Sequence, residues 1–385
     1  MSDFVAGNQV DLLRNGTEFF PALLQAIESA RHEIHLQTYI YEADVIGRSV
    51  ADALKRAAAR GVDVHVLLDG FGSKELDRDF VAELQASAVE VLFYRPKISP
   101  WTLKRKRLRR LHRKVAVIDG HLAFVGGINI IDDMNAPDHT PPRIDYAVRV
   151  QGALLPVIRA SVRRLWRRVA WAHLRRVRVG RLRARLAPQN IGEMWAAYVV
   201  RDNVLHRRDI EDAYLNAIDG ASQEIVIANS YFLPGIRFRR ALMAAAHRGV
   251  RVVLLLQARV EYLLLDYASR ALYDELLGAG IEIYEYEKSF MHSKVAVIDG
   301  RWATVGSSNI DPFSLLLSRE ANVVVSDPGF AQTLRHDLMV SIDTGARHVL
   351  PEDWMRASLF RRWMARLFYA GIRAALGLIG YADHR

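Results

Sequence analysis

The strings LHRKVAVIDG and MHSKVAVIDG place His112, Lys114 and Asp119, and again His292, Lys294 and Asp299, at one identical spacing. Each string is followed, again at one spacing, by Gly126-Gly127-Ile128-Asn129 and by Gly306-Ser307-Ser308-Asn309. A chain with 13 His, 8 Lys and 26 Asp would hold this His-x-Lys-x4-Asp pattern about 0.02 times by chance. Imidazole titrates near neutrality, so one histidine can attack phosphorus while a second protonates a departing alkoxide. Lysine ammonium groups, asparagine amides and backbone N–H groups freed by small residues can neutralise a phosphodiester without a metal. The two triplets are therefore the candidate catalytic groups of an enzyme that transfers phosphoryl-linked groups, with Asn129 and Asn309 as phosphate donors.

Strand parity divides the triplets. Val, Ala and Ile around each motif spell a strand, where residues two apart share a face. His112 then stands beside Lys114 and His292 beside Lys294, whereas each Asp, five positions after its Lys, has the other parity. Asp-Gly is a strong hairpin-turn signal, so Asp119 and Asp299 read as structural despite their place in the motif. A histidine used this way needs an orienting carboxylate on its other ring nitrogen. Asp145 in RIDYAVRV and Glu320 in SREANVVV each open an apolar strand downstream of the histidine in the same half. They are supporting carboxylates or strand-edge charges.

These groups need a duplicated scaffold, and the chain repeats itself. AIESARHEIHLQTYI (26–40) returns as AIDGASQEIVIANSYF (217–232), and KRAAARGVDVHVLLDG (55–70) as LMAAAHRGVRVVLLLQ (242–257). In each half an amphipathic helix leads into a strand (Glu33 to Thr38; Glu224 to Asn229). A second helix then stops at Arg-Gly, the glycine taking the left-handed turn, and a buried strand follows (Val62 to Leu68; Val250 to Leu256). Strands alternating with helices predict an α/β fold. We expect two pseudo-symmetric α/β lobes, over 1–187 and 188–350, with the active site at their interface. The join falls between Arg185 and Met194, and a basic amphipathic tail occupies 351–385.

The absence of cysteine excludes disulfides and thiolate metal sites, and no residue cluster calls for a metal or other cofactor. Net charge is +10, with eight basic residues in Lys104–Lys114 and eleven in Arg159–Arg185. Such clusters suit a polyanion, either nucleic acid or an anionic membrane face, or else they are solvated helix faces. The start of the chain lacks the pattern of a signal peptide, and no stretch is long and uncharged enough to span a membrane. Leu359 to Tyr381, interrupted by Arg361, Arg362, Arg366 and Arg373, suits a membrane surface better. Tyr231-Phe232-Leu233-Pro234 and Phe313 to Leu317 offer apolar material for a water-excluding wall, or for ordinary core.

The doubled H-x-K-x4-D-x6-G-[G/S]-x-N pattern resembles the phospholipase D superfamily. Segments such as LQTYIYEADVIGRSVADAL and ANSYFLPG make the chain similar to its bacterial cardiolipin synthases, in the form without N-terminal transmembrane helices. The resemblance covers about Asn8 to Pro351. It implies a phosphohistidine intermediate, no cofactor, and transfer of a phosphatidyl group from one phosphatidylglycerol to another with release of glycerol. On this resemblance His112 is the nucleophile and His292 the general acid, and Lys114, Lys294, Asn129, Asn309 and the Ser307 hydroxyl hold phosphate. Asp145 and Glu320 match the histidine-supporting carboxylates, and Gly127 departs from the pattern where the second half has Ser307. The partners implied are anionic phospholipids at the cytoplasmic face of the inner membrane, met through basic stretches and through Trp101, Trp166 and Trp171. A hydrolase or a nuclease of the same superfamily is the alternative, although the Arg, Trp and Phe mixture of the tail has no evident use on nucleic acid.

Overall fold

The computed structural model describes residues 4–95, 109–134, 140–174, 190–202, 205–259, 263–312, 314, 317–352, 367–368 and 371. The first lobe runs β1 (Val5–Arg14), α1 (Asn15–Ser29), β2 (Glu33–Thr38), α2 (Val45–Ala59), β3 (Asp63–Asp69), α3 (Arg78–Ala86), β4 (Glu90–Tyr94), β5 (Lys114–Ile118), β6 (Leu122–Gly126), β7 (Tyr146–Gly152) and α4 (Leu155–Ala172). The second repeats the plan with β8 (Met194–Arg201), α5 (Asp209–Asp219), β9 (Glu224–Asn229), α6 (Ile236–His247), β10 (Arg251–Gln257), α7 (Leu263–Arg270), α8 (Tyr273–Gly278), β11 (Glu282–Tyr286), β12 (Lys294–Ile298), β13 (Trp302–Gly306), β14 (Glu320–Ser326), α9 (Pro328–Gly345) and β15 (Ala346–His348).

All these strands form one sheet in the order β15-β11-β10-β9-β12-β13-β14-β8-β1-β7-β6-β5-β2-β3-β4. Apart from the added edge strand β15, the order is symmetric about the antiparallel β8–β1 pair, each strand of one half matching its copy in the other. The repeat in sequence is thus a repeat in topology. Within each half the strands seen in the repeat are parallel (β2 with β3, β9 with β10), and the motif strand joins antiparallel (β5 to β2, β12 to β9).

Local chemistry accounts for the elements. The Asp44 side chain caps α2 by accepting from Gly47 N–H at 2.8 Å, and the buried stripe Val50, Leu54, Ala57 has helical spacing. Gly61 and its counterpart Gly249 stop their helices at φ of +86° and +89°. Val125 and Val148 share a core with Val305 and Val323, which fuses the lobes, while Ala116 and Ile118 pack toward α1 and α2, and Ala296 and Ile298 toward α5 and α6. Because β5 and β12 are buried on both faces, alternation disappears and each reads as a continuous apolar run.

The two motif aspartates sit where strand parity put them. Asp119 and Gly120 have φ of +48° and +69°, and Asp299 and Gly300 have +50° and +59°, the left-handed pair that a tight hairpin needs. Asp119 also accepts from Arg31, His32 and Glu33 N–H at 2.7–2.9 Å, fastening the end of α1 to the start of β2. Asp299 does the same for Ser222, Gln223 and Glu224. Burial alone would raise the Asp299 carboxyl, and these amides with the Ser222 hydroxyl outweigh it and hold it below its usual range. Asp119→Asn sets an NH2 group against at least one of these N–H donors and removes the charge that all three share, so it should cost about 1–3 kcal/mol of stability, with the more exposed Asp299→Asn costing less. Chemical denaturation with parallel assays checks this: the specific activity of the folded fraction should stay near that of the parent.

Several expected surface contacts are instead internal. Trp166, only 2% exposed, packs 4.7 Å from the His65 ring, because Val162, Leu165, Trp166 and Val169 form the stripe of α4 that faces the sheet. Trp171, at 79% exposure, does face solvent. Arg159 is buried against Glu33, and Arg113 is buried with Nε donating to Gln37 at 2.8 Å and Nη1 to Ser161 at 2.9 Å. Those two arginines are core members of the basic clusters. Trp101, the 104–108 and 175–185 portions of the clusters, the 185–189 part of the join, and nearly all of the 351–385 tail lie outside the described residues. Among the described residues, no helix is long and apolar enough to cross a membrane.

Candidate active site

Each motif histidine precedes its strand, on a segment stitched to the opposite lobe. Leu111 bridges Arg319, and Met291 bridges Ile144. His112 N–H donates to the Arg319 carbonyl at 3.0 Å, and His292 N–H to that of Ile144 at 2.7 Å. The stitching sets each imidazole against the carboxylate of the other half. His112 Nδ1 lies 3.0 Å from Glu320 Oε1, and His292 Nδ1 lies 2.7 Å from Asp145 Oδ2. Sequence order pairs each histidine with the carboxylate of its own half; the structure exchanges the partners. With Nδ1 occupied, Nε2 is the nitrogen each ring can present to a substrate.

The two pairs meet in one cavity of about 490 Å³ between the lobes, lined by both histidines and by Asn129, Asn309 and Asp145. Asn129 Oδ1 accepts from Ile40 N–H at 3.1 Å, which leaves its NH2 group as donor. Asn309 Oδ1 has no partner among the described residues. The lysines lie deeper. Lys114 Nζ donates to the His112 carbonyl at 2.8 Å, and Lys294 Nζ to the His292 carbonyl and to Ser230 Oγ.

Electrostatics separates the halves. Burial lowers Lys114 to about 7. It also lowers His112, with the Glu320 charge acting against it. His292 is held well below its usual value, first by burial and then by Lys294 and Lys114, while burial raises its partner Asp145 to about 7. Across a 2.7 Å hydrogen bond these shifts describe one proton, shared by the Asp145–His292 pair and dissociating near neutrality.

The Gly127 and Ser307 difference has a steric cause. A Cβ at 127 would stand 2.2 Å from Asp145 Oδ1, so the position must be glycine as long as that aspartate is tied to His292. In the other half Ser307 Oγ donates to Glu320 Oε2 at 2.6 Å and is fully buried. The Ser307 hydroxyl therefore positions the carboxylate behind His112 and does not face the cavity, which corrects its expected place among the phosphate donors.

Other lining residues carried no motif. Tyr39 meets the His112 ring edge-on at 4.8 Å, and Arg110 and Arg143 add positive charge to the wall. Of the two apolar segments, Tyr231 and Leu317 reach the cavity, whereas Phe232 and Leu233 are core. Phe313, Leu315 and Leu316 lie outside the described residues. Among the described residues, no group of three His, Asp or Glu could hold a metal ion.

Comparison with known proteins shows the family and the fold. A family model described as "Cardiolipin synthase, PLD-like domain" matches residues 23–137 and 214–339. Cardiolipin synthase B of Salmonella typhimurium is 40% identical over 353 residues, covering 89% of this chain and 82% of that protein. Cardiolipin synthase B of Escherichia coli K12 is 40% identical over 342 residues, covering 86% and 80%. The crystal structure of phosphatidylserine synthase from Haemophilus influenzae matches 98% of this chain and 96% of its own at TM-score 0.70 and 13% identity, a likeness of fold. The chain is an enzyme of the phospholipase D superfamily, and within that class it belongs to the cardiolipin synthase family.

Proposed function

We propose that the enzyme joins two phosphatidylglycerol molecules into cardiolipin and releases glycerol. The observation that carries this reading is the meeting of two crossed His–carboxylate pairs in one interlobe cavity. His112 Nε2 attacks phosphorus, and the phosphorus–oxygen bond to the departing glycerol breaks. His292, protonated on both ring nitrogens, gives its Nε2 proton to that oxygen while its Nδ1–H stays on Asp145. A hydroxyl of the second phosphatidylglycerol, deprotonated by His292, then attacks the phosphatidyl-histidine and frees His112. Lys114, Lys294, Asn129 and Asn309 stabilise the phosphoryl oxygens, the lysines by their field and the amides by hydrogen bonds.

Water at about 55 M competes for the intermediate, so transfer requires a site that excludes water and holds an acceptor hydroxyl. Phosphatidylglycerol vesicles alone should yield cardiolipin and glycerol in near-equal amounts, with phosphatidic acid a minor product, and added glycerol should drive the reaction backwards. Phosphatidic acid dominating at every lipid concentration would make the protein a hydrolase. In the same reading the lobes divide at 187/188. The protein sits peripherally on the cytoplasmic face of the inner membrane, touching anionic lipid through the 351–385 tail, through Trp171 at the exposed end of α4 and through Leu174 just beyond it.

A further inference from the structure

A second cleft, of about 900 Å³, shares no lining residue with the catalytic cavity. Five arginines line it, Arg113, Arg164, Arg168, Arg201 and Arg319, against two acidic residues, Asp202 and Asp209. Asp209 is itself bonded to His206 at 2.6 Å. Ser161, Tyr198 and His206 add polar groups, and Leu154, Val157, Leu165, Val200 and Leu205 form an apolar portion of the wall. Arg113 is 4% exposed, and its hydrogen bonds to Gln37 and Ser161 go to neutral groups. Burial disfavours this cation, the Asp202 charge opposes that only in part, and a bound anion would offset the rest. Tyr198 lines the same cleft at 5% exposure, and its hydroxyl has no partner among the described residues.

We propose that this cleft binds a second, non-reacting anionic phospholipid, its phosphate held by the arginines and the Tyr198 hydroxyl and its glycerol and acyl portion laid on the apolar wall. The excess of guanidinium groups selects a phosphate, and the apolar wall selects a lipid over free phosphate. A lipid here is not the acceptor, because the cleft and the cavity share no wall. It would instead brace the catalytic segments from behind. Arg113 follows His112, Arg319 precedes Glu320, and the N–H groups of His112 and Arg113 both donate to the Arg319 carbonyl. The inference rests on the reading that the enzyme works on anionic phospholipids, but it is tested apart from turnover.

The test uses the full chain on vesicles carrying a photoactivatable phosphatidylglycerol or a matched phosphatidylcholine probe, with labelled peptides mapped by mass spectrometry. The phosphatidylglycerol probe should label 154–168 and 198–206, and the phosphatidylcholine probe should label them at least fivefold less. Arg164→Gln/Arg168→Gln, altered at exposed positions, should cut that labelling at least fivefold, and Val157→Asp should cut it likewise. Both variants should leave turnover of monomeric short-chain phosphatidylglycerol near that of the parent. Label confined to peptides of the catalytic cavity, equal labelling by the two probes, or equal labelling of the variants would overturn the proposal. Loss of the cleft label to excess inorganic phosphate, with vesicle binding intact, would assign the cleft to free phosphate and overturn it also.

Discussion

His112→Ala and His292→Ala should each lower cardiolipin formation by at least about 10⁴-fold, because a nucleophile and its proton partner act as one unit and losing either forfeits most of the rate. The double variant should be hardly slower than either single one. Both rings line the cavity just before buried strands, and neither belongs to the apolar cores, so circular dichroism should match the parent. A folded variant retaining a tenth of parental activity would remove that histidine from the mechanism.

The crossed carboxylates carry the next largest effect. Asp145→Asn and Glu320→Gln should each reduce kcat by about 10²–10⁴-fold at nearly unchanged melting temperature, in the range seen when an orienting carboxylate is lost. Their pH profiles should move differently. The proton of the Asp145–His292 pair is lost as pH rises through about 7, so the alkaline limb of kcat/KM in the parent lies near neutrality. Without the Asp145 charge, His292 stays beside Lys294 and Lys114, sheds its proton sooner, and that limb shifts to lower pH. Glu320 opposes the lowering of His112, so Glu320→Gln keeps His112 neutral further into acid and moves the acid limb down. Because each carboxylate serves the histidine of the other lobe, Glu320→Gln should alter the limb of His112 and Asp145→Asn that of His292. The opposite assignment would mean that the partners are not exchanged in solution.

Much of this was legible in the sequence, for physical reasons. A duplicated motif fixes which residues are equivalent, and strand parity separates the chemical His and Lys from the turn-forming Asp119 and Asp299. Equivalence does not say which loops meet. The exchange of Asp145 and Glu320 depends on the parallel bridges Leu111–Arg319 and Ile144–Met291, contacts between segments remote in the chain with no local signature. Trp166 was misplaced because an Arg-rich helix with aromatic residues has the same composition whether its apolar stripe meets lipid or a sheet. Ser307 was misplaced because a hydroxyl in a phosphate-binding string can serve the carboxylate behind it equally well; the smaller counterpart Gly127, set against the shorter Asp145, was the available signal.

The covalent intermediate offers the most direct measurement. Wild-type protein turning over phosphatidylglycerol, quenched in alkali to preserve phosphoramidate bonds and analysed by peptide mass spectrometry, should carry a phosphatidyl group on His112, and His112→Ala should carry none at any histidine. A phosphatidyl group on His292, or rapid turnover with no histidine adduct at any quench time, would contradict the mechanism.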